Sequence, residues 1–423
     1  MTRITVYADW DGLGIPRRLG FLHARRSDTH ELFEFEYDSA ALADPHLNKI
    51  QLDPRIFLFE GHQYPEQGRE TFGMLADSSP DRWGRMLMSR RLEREKRAGN
   101  VSSNTRLFES DFLLGVHDAY RIGALRFKRN DEGPFLDDQE DMAAPPMVTL
   151  RELEHASRSL EQDEDNTSIH GDDWLRILLA PGGSLGGARP KASVVDNEGQ
   201  LWIAKFPSVR DTHDVGAWEL VLNSLADACG LRVASGTAAR YASEHHCFMV
   251  KRFDRTSTGR RLHFASAMTL TGHTDGEDAS NGVSYLELAK VLINQGANTD
   301  IDLRELWSRI VFNMLVSNTD DHLRNHGFIL EPGQGWHLSP AYDMNPDKYG
   351  DGLKLNVSEY DNALDLDLAR SVANYFRVSN DDANEIIEEF QGVVSQWPKL
   401  AKEIGISQRE QNDVGEAFRL SKT

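Results

Sequence analysis

A chain of 423 residues is too long for one small core, so two or three subdomains are expected. A formal net charge of -20 argues against broad adhesion to nucleic acid or anionic membrane and favours basic partners, or a site whose negative charge is offset by metal. Only Cys229 and Cys247 occur, without CxxC spacing, which disfavours a disulfide framework or a zinc finger.

Residues 1–130 read as short strands and one helical patch. RITVYAD, LGFLHARR and HELFEFEYD alternate apolar and polar residues, the period of a half-buried sheet. The start, MTRITVYADWDG, has no apolar signal-peptide core, and no apolar run reaches the roughly 18 residues of a membrane span, so a cytoplasmic chain without a membrane partner is expected. The run from Asp77 to Arg97, which includes WGRMLMSRRLEREKR, then predicts a helix, capped within Asp77 to Ser79 and with Pro80 in its first turn. Its arginines, Arg82, Arg85, Arg90, Arg91 and Arg94, surround the helix; they read as a solvated surface with intrahelical Glu–Arg pairs, or else as a patch for nucleic acid or a partner. AYRIGALRFKR predicts a strand.

DEGPFLDDQEDMAAPPM, residues 131–147, is acidic and proline-bearing and reads as a linker or exposed loop; EQDEDNTSIHGDD, residues 161–173, is a second acidic stretch. WLRILLA predicts a short helix. PGGSLGGARPKASVVDNEGQLWIAKFP predicts a glycine-rich loop, a strand, a turn at Asn197-Glu198-Gly199 and a second strand. DVGAWELVLNSLADACGL has helical spacing with Gly230 as its stop, and HHCFMVKRFDR is another strand. Beyond residue 284 the pattern is mostly helical. DLRELWSRIVFNMLVS is a core-facing helix, a polar cluster follows it, GFIL and WHL form a hairpin across EPGQG, and SPAYDMNP carries Asp343 on a loop.

That order brings Asp320, Asn325 and Asp343 toward one cleft mouth. Phosphoryl transfer needs such a set: one carboxylate to orient a hydroxyl, an amide oxygen and a second carboxylate to hold magnesium, a lysine for the phosphates. Asp320 and Asn325 have the Asp-x4-Asn spacing of a kinase catalytic loop. Lys205 lies on one strand face with Leu201 and Ile203, costly unless something negative meets it; nucleotide phosphates or Glu219 would serve, and the alternative is an edge lysine reaching solvent. GGSLGGARPK is neither a P-loop nor G-x-G-x-x-G, since Pro190 precedes Lys191; it is either a backbone free to curve round phosphate or a flexible turn. His322 and His326 are four apart but lack the H-E-x-x-H glutamate, and EHHC at 244–247 has no second ligand pair, so neither is read as a zinc site.

SLGGARPK, IAKFP, MVKRFDR, NTDDHLRNHG and LSPAYDM together resemble the signature segments of HipA-family serine/threonine kinases, the toxin halves of bacterial type II toxin–antitoxin pairs; the run from Phe72 to Leu87 (FGMLAD at its start, WGRML at its end) and RIGALRF are similar to that family too. The resemblance implies an α+β, two-lobed protein-kinase-like fold with an extra N-terminal β-rich subdomain (1–130), an N-lobe with glycine-rich loop and hinge (148–255) and an all-helical C-lobe (256–423). It implies ATP and Mg2+ as cofactors. Asp320 matches the catalytic aspartate with His322 beside it, Asn325 and Asp343 the metal ligands, and Lys205 the phosphate-contacting lysine. The loop Ser184, Leu185, Gly186 and Gly187 matches the ATP-binding loop, and the backbone of Lys251 and Phe253 the adenine hinge. Ser184 matches a serine whose autophosphorylation expels the loop and silences the kinase; as a residue it also reads as an ordinary turn serine. The implied partner is a helix-turn-helix antitoxin through which DNA is met only indirectly, and the substrate a protein, with aminoacyl-tRNA synthetases as one candidate class. LHFASAMTLTG stands where some members carry a Gln-Glu-Asp segment, so the substrate does not carry over. The rival expectations are a small-molecule kinase on the same fold and a catalytically silent co-repressor that only binds antitoxin.

Overall fold

Most of the strand, helix and hairpin periods above are present in a computed structural model of the chain, which describes residues 2–136, 146–168, 170–179 and 187–421, although AYRIGALRFKR is a strand only from Leu125 to Lys128. The glycine-rich residues 181–186 and most of the 131–147 segment lie outside the described residues. The chain is mixed α+β and divides into two units, Met1–Arg210 with Lys251–Ala265, and Asp211–Val250 with Ser266–Thr423. No helix among the described residues is long and apolar enough to cross a membrane.

The first unit opens on an antiparallel sheet of β1 (Thr2–Ala8), β2 (Arg17–Arg26), β3 (Glu31–Tyr37) and β4 (Leu125–Lys128), in the order β3-β2-β1-β4. Its period-2 alternation buries Ile4, Val6, Leu22, Ala24, Phe33, Phe35 and Phe127 on one side. The polar residues between them, such as His23, Glu34 and Glu36, belong to the other face. Further on, β5 (Lys191–Val195) and β6 (Leu201–Lys205) form the hairpin expected around residues 197–199, its turn made possible by Gly199 at φ +78°.

Helix α1 (Arg82–Arg97) starts later than its sequence suggests. Asp81, past Pro80, is the N-cap, and its Oδ1 accepts from the Gly84 amide at 2.9 Å. The reason is tertiary: its Oδ2 takes the buried ammonium of Lys191 at 2.9 Å, with side-chain exposures of 0% and 3%. The arginines of α1 are mostly neither solvated nor spread as a patch. Arg85 makes a two-pronged pair with Glu109 at 2.5 and 2.7 Å. Arg90 donates to the carbonyls of Leu160 and Asp163, and Arg94 to Asp172 and to the carbonyls of Asn166 and Ser168. Those acceptors belong to the ends of α2 (Leu150–Gln162) and α3 (Gly171–Leu179) and the acidic loop between them. The acidic stretch at 161–173 is thus the counter-surface of α1. Lys96 with Glu93 keeps the intrahelical pattern expected of such a helix.

A second buried charge cluster closes the unit. Asp254 takes Arg252 at 2.7 and 2.8 Å, Arg255 at 2.6 Å and the Gly123 amide at 2.9 Å. These two guanidiniums outweigh burial and hold its carboxyl far below the usual carboxylate range. Arg261 donates to the Asp118 carbonyl at 2.6 Å, and Arg252 to the Tyr120 carbonyl at 2.6 Å.

The second unit is mostly helical and includes a two-stranded hairpin. It holds α4 (Val215–Ala228), β7 (Gly236–Ala239) paired with β8 (Cys247–Lys251), α5 (Tyr285–Gln295), α6 (Thr299–Leu315), the hairpin β9 (Gly327–Glu331) and β10 (Gly335–Leu338), and α7 (Asn380–Val394). From Leu306 onward helix α6 is buried all round: Leu306, Trp307, Ile310, Val311, Phe312, Met314 and Leu315 are fully enclosed. Its polar members Asp302 and Arg309 are paired, Asp302 with Arg232 at 2.5 Å and Arg309 with Glu305 at 2.7 Å. Neither cysteine is in a disulfide, both are buried, and burial pushes the Cys229 thiol up to about 12.

Removing one partner of a buried ion pair leaves the other charge stranded at a cost of about 3–5 kcal/mol. Lys191→Met is therefore expected to lower the opening free energy of α1 by about that amount, read as lost hydrogen-exchange protection of its amides.

Candidate active site

The polar cluster after α6 is built from the helix end outward. The helix stops in a Schellman turn: the Asn318 amide bonds the Asn313 carbonyl at 2.9 Å, and Ser317 takes the left-handed conformation, φ +47°. Serine in place of glycine is costly there, and its hydroxyl offsets this by donating to the Ala417 carbonyl at 2.7 Å. The next residues therefore leave the helix axis at once.

Asp321, buried, anchors the loop. Its Oδ2 accepts from the Tyr285 hydroxyl on α5 at 2.6 Å, from Asn313 Nδ2 on α6 at 2.6 Å, and lies 2.8 Å from His326 Nε2 just ahead of β9. Burial, then the Asp321 carboxylate, hold the Tyr285 phenol well above its ordinary range. Asn318 extends the chain of bonds, donating to Asn313 Oδ1 at 3.0 Å. With Asp321 turned inward, its neighbour Asp320 is exposed. The Asp320 carbonyl is pinned by the His322 amide at 2.9 Å and by Asn325 Nδ2 at 3.0 Å. Asn325 is itself buried, and its Oδ1 has no hydrogen-bond partner among the described residues. His322 is half-buried, with Nδ1 likewise unpartnered.

The loop bearing Asp343 is stitched to this one on both sides. The Tyr342 hydroxyl donates to the Arg324 carbonyl at 2.7 Å, and the Asn345 amide to Asn318 Oδ1 at 3.3 Å. Tyr342, Met344, Asn325 and Asp321 line one small cavity. Asp343, between the stitches, is half-buried and held at φ +61°, a conformation that costs energy for any residue with a side chain. Asp320, His322, Asn325 and Asp343 are thus gathered on two joined loops of the second unit, and the buried glutamate Glu219 sits on α4.

The first unit carries the others. Lys205 ends β6, half-buried and directly across the ladder from Lys191. Lys251 and Phe253 flank Arg252, whose amide bonds the Leu201 carbonyl at 2.9 Å. Gly187 has φ +92°, and a β-carbon there would stand 3.2 Å from Lys191 Nζ. Ser184, Leu185 and Gly186 lie outside the described residues. Sequence reasoning left Asp321 and the Lys191–Asp81 pair without roles. The signal for Asp321 was present: of two adjacent aspartates, only one can face the core. His246, in the EHHC segment, is a structural partner of Asp214 at 2.6 Å.

Replacing Asp321 strands three buried polar groups, each costing about 1–3 kcal/mol, whereas replacing its exposed neighbour strands none. Asp321→Ala is expected to destabilise the second unit by roughly 3 kcal/mol or more in urea titration, and Asp320→Ala by less than about 0.5 kcal/mol.

Among known proteins, a family model described as the HipA-like C-terminal domain matches residues 183–397. A Haemophilus influenzae protein named "Putative kinase" is 30% identical over 124 residues, 27% of this chain and 36% of that protein. "Putative kinase Y4mE" of Sinorhizobium fredii is 26% identical over 234 residues, 49% of this chain and 52% of that protein. The matches thus span about half or less of these relatives' lengths. A chain of the solved Shewanella oneidensis MR-1 toxin–antitoxin complex of HipA, HipB and operator DNA superposes with TM-score 0.67 at 16% identity, covering 96% of this chain and 95% of that one.

Proposed function

The chain belongs to the family defined by the HipA-like C-terminal domain, and from that premise we propose that it is a Mg-ATP-dependent serine/threonine protein kinase, the toxin of a toxin–antitoxin pair. The observation that carries the reading is the Asn325 side chain: buried, its nitrogen spent on the Asp320 carbonyl, its oxygen left without a donor among the described residues. A buried amide oxygen without a partner is costly unless a cation meets it. With the Asp343 carboxylate on the joined loop it makes a hard oxygen pair suited to magnesium. The bound ion would neutralise charge on the transferring phosphoryl group.

In this reading Asp320, exposed beside that pair, orients the acceptor hydroxyl and accepts its proton, with His322 alongside. Lys205 steadies the phosphates, the loop Ser184, Leu185, Gly186 and Gly187 covers them, and the backbone of Lys251 and Phe253 meets adenine. Glu219 is the partner proposed for Lys205. Phosphate added to Ser184 brings nearly two negative charges to the loop and excludes ATP from it. The proposed antitoxin is a helix-turn-helix protein, by analogy with the HipA–HipB–operator complex of the similar structure. The substrate is a protein hydroxyl, with aminoacyl-tRNA synthetases the first class to try.

Incubated with Mg-ATP, the parent is expected to gain one phosphate by intact mass, while Asp320→Ala slows the gain roughly 10²–10⁴-fold. Equal masses would remove the autophosphorylation step. A chain that also neither binds ATP nor labels a protein in lysate is a silent co-repressor, and labelling confined to small molecules points to a metabolite kinase.

A further inference from the structure

The outward face of the N-terminal sheet carries a cluster for which the phosphotransfer reading has no use. In the β2–β3 ladder His23 stands opposite Glu34, and Phe21 opposite Glu36. Beyond β3 the chain at Gln63 pairs with Phe35 through two backbone bonds of 2.8 and 2.9 Å. That antiparallel register sets His62 against Glu36 and Tyr64 against Glu34. Because strand side chains alternate, residues 23, 34, 36, 62 and 64 share one face, opposite the apolar face of Leu22, Phe33 and Phe35.

The donor atoms of His23, Glu36 and His62 lie within 4.8 Å of one another. His23 Nε2 is 3.1 Å from Glu36 Oε1, and His62 Nδ1 is 3.7 Å from Glu36 Oε2. Ligands bonded at about 2.0–2.1 Å in a tetrahedron stand roughly 3.4 Å apart, so each histidine already stands near ligand spacing from one oxygen of the Glu36 carboxylate. Glu34 stands behind them. It is 2% exposed, and its Oε1 is 2.6 Å from His62 Nδ1. Its Oε2 takes Arg25 at 3.0 Å and the Tyr64 hydroxyl at 3.3 Å. Glu34 thus holds the same nitrogen of His62 that faces Glu36, a bond that an ion would replace. Arg25 offsets the charge of Glu34, which leaves one uncompensated carboxylate, Glu36, for an ion.

We propose that His23, Glu36 and His62 form a binding site for a divalent transition ion of the zinc class. Two imidazoles and one carboxylate suit a borderline ion and not the hard magnesium proposed for the second unit, so the two sites are chemically distinct. The histidine side chains are 11% and 50% exposed, so one side of the site is enclosed and the other is open for a water molecule as fourth ligand. The sequence hid this set, because its members are spread over forty residues with no ligand spacing and are united only by strand register.

The test uses the full chain stripped with EDTA and titrated calorimetrically with Zn2+. One equivalent is expected. Binding should weaken at least about tenfold in His62→Ala, whose exposed ring can be removed without disturbing the core, and in Glu36→Gln. Asp343→Asn should leave it unchanged. Co2+ in place of zinc should give the visible absorption of a low-coordinate site in the parent and not in His62→Ala. No saturable binding, or binding equal in the parent and His62→Ala, would overturn the proposal and reduce the cluster to His–Glu ion pairs. Neither outcome bears on phosphotransfer, which intact mass reads separately.

Discussion

The second unit's chemistry-bearing loops depend on a single buried oxygen. Asp321 Oδ2 gathers a tyrosine from α5, an asparagine from α6 and a histidine just ahead of the hairpin. A carboxylate in that setting is tolerated only because donors surround it, and each donor is tolerated only because the carboxylate is there. The arrangement over-determines the path of the chain from residue 313 to 326. It also leaves the adjacent aspartate nowhere to go but outward. Two neighbouring residues of one type thereby divide the work, one fixing the backbone and the other facing solvent.

That same rigidity sustains unfavourable local geometry. Ser317 and Asp343 both adopt left-handed backbone conformations that glycine would adopt at lower cost. Ser317 is tied down through its hydroxyl, and Asp343 is bracketed by the Tyr342 and Asn345 bonds to the neighbouring loop. Strain kept at a polar side chain, where a glycine would relieve it, fits a position retained for its carboxylate.

What could be read from the residues alone was what periodicity and local chemistry encode. The alternation of RITVYAD and HELFEFEYD gave the N-terminal sheet, the apolar spacing after residue 302 gave α6, and the glycines of EPGQG gave the β9–β10 hairpin. The expectation that Asp320, Asn325 and Asp343 approach one another came from the order of those elements. What escaped depends on partners distant in sequence. Asp81 and Lys191 are 110 positions apart, and the arginines of α1 find acceptors some 70 residues away. Local reading gave those arginines a solvated face with intrahelical Glu–Arg pairs, or a patch for nucleic acid or a partner, because acceptors so far along the chain are not visible to it. Strand register, likewise invisible before pairing is known, brought His23, Glu36 and His62 together.

The Asp254 cluster has a consequence for anyone wishing to dissect this molecule. Residues 251–265 return to the first unit after forty residues spent in the second, and they bring Arg252, Asp254, Arg255 and Arg261 with them. A fragment ending at residue 210 would lack the acceptor for the Gly123 amide and the guanidinium that meets the Asp118 carbonyl, both enclosed. The unit is discontinuous in sequence yet continuous in its interior, so excising it calls for a redesigned junction from 210 to 251 and not a simple truncation.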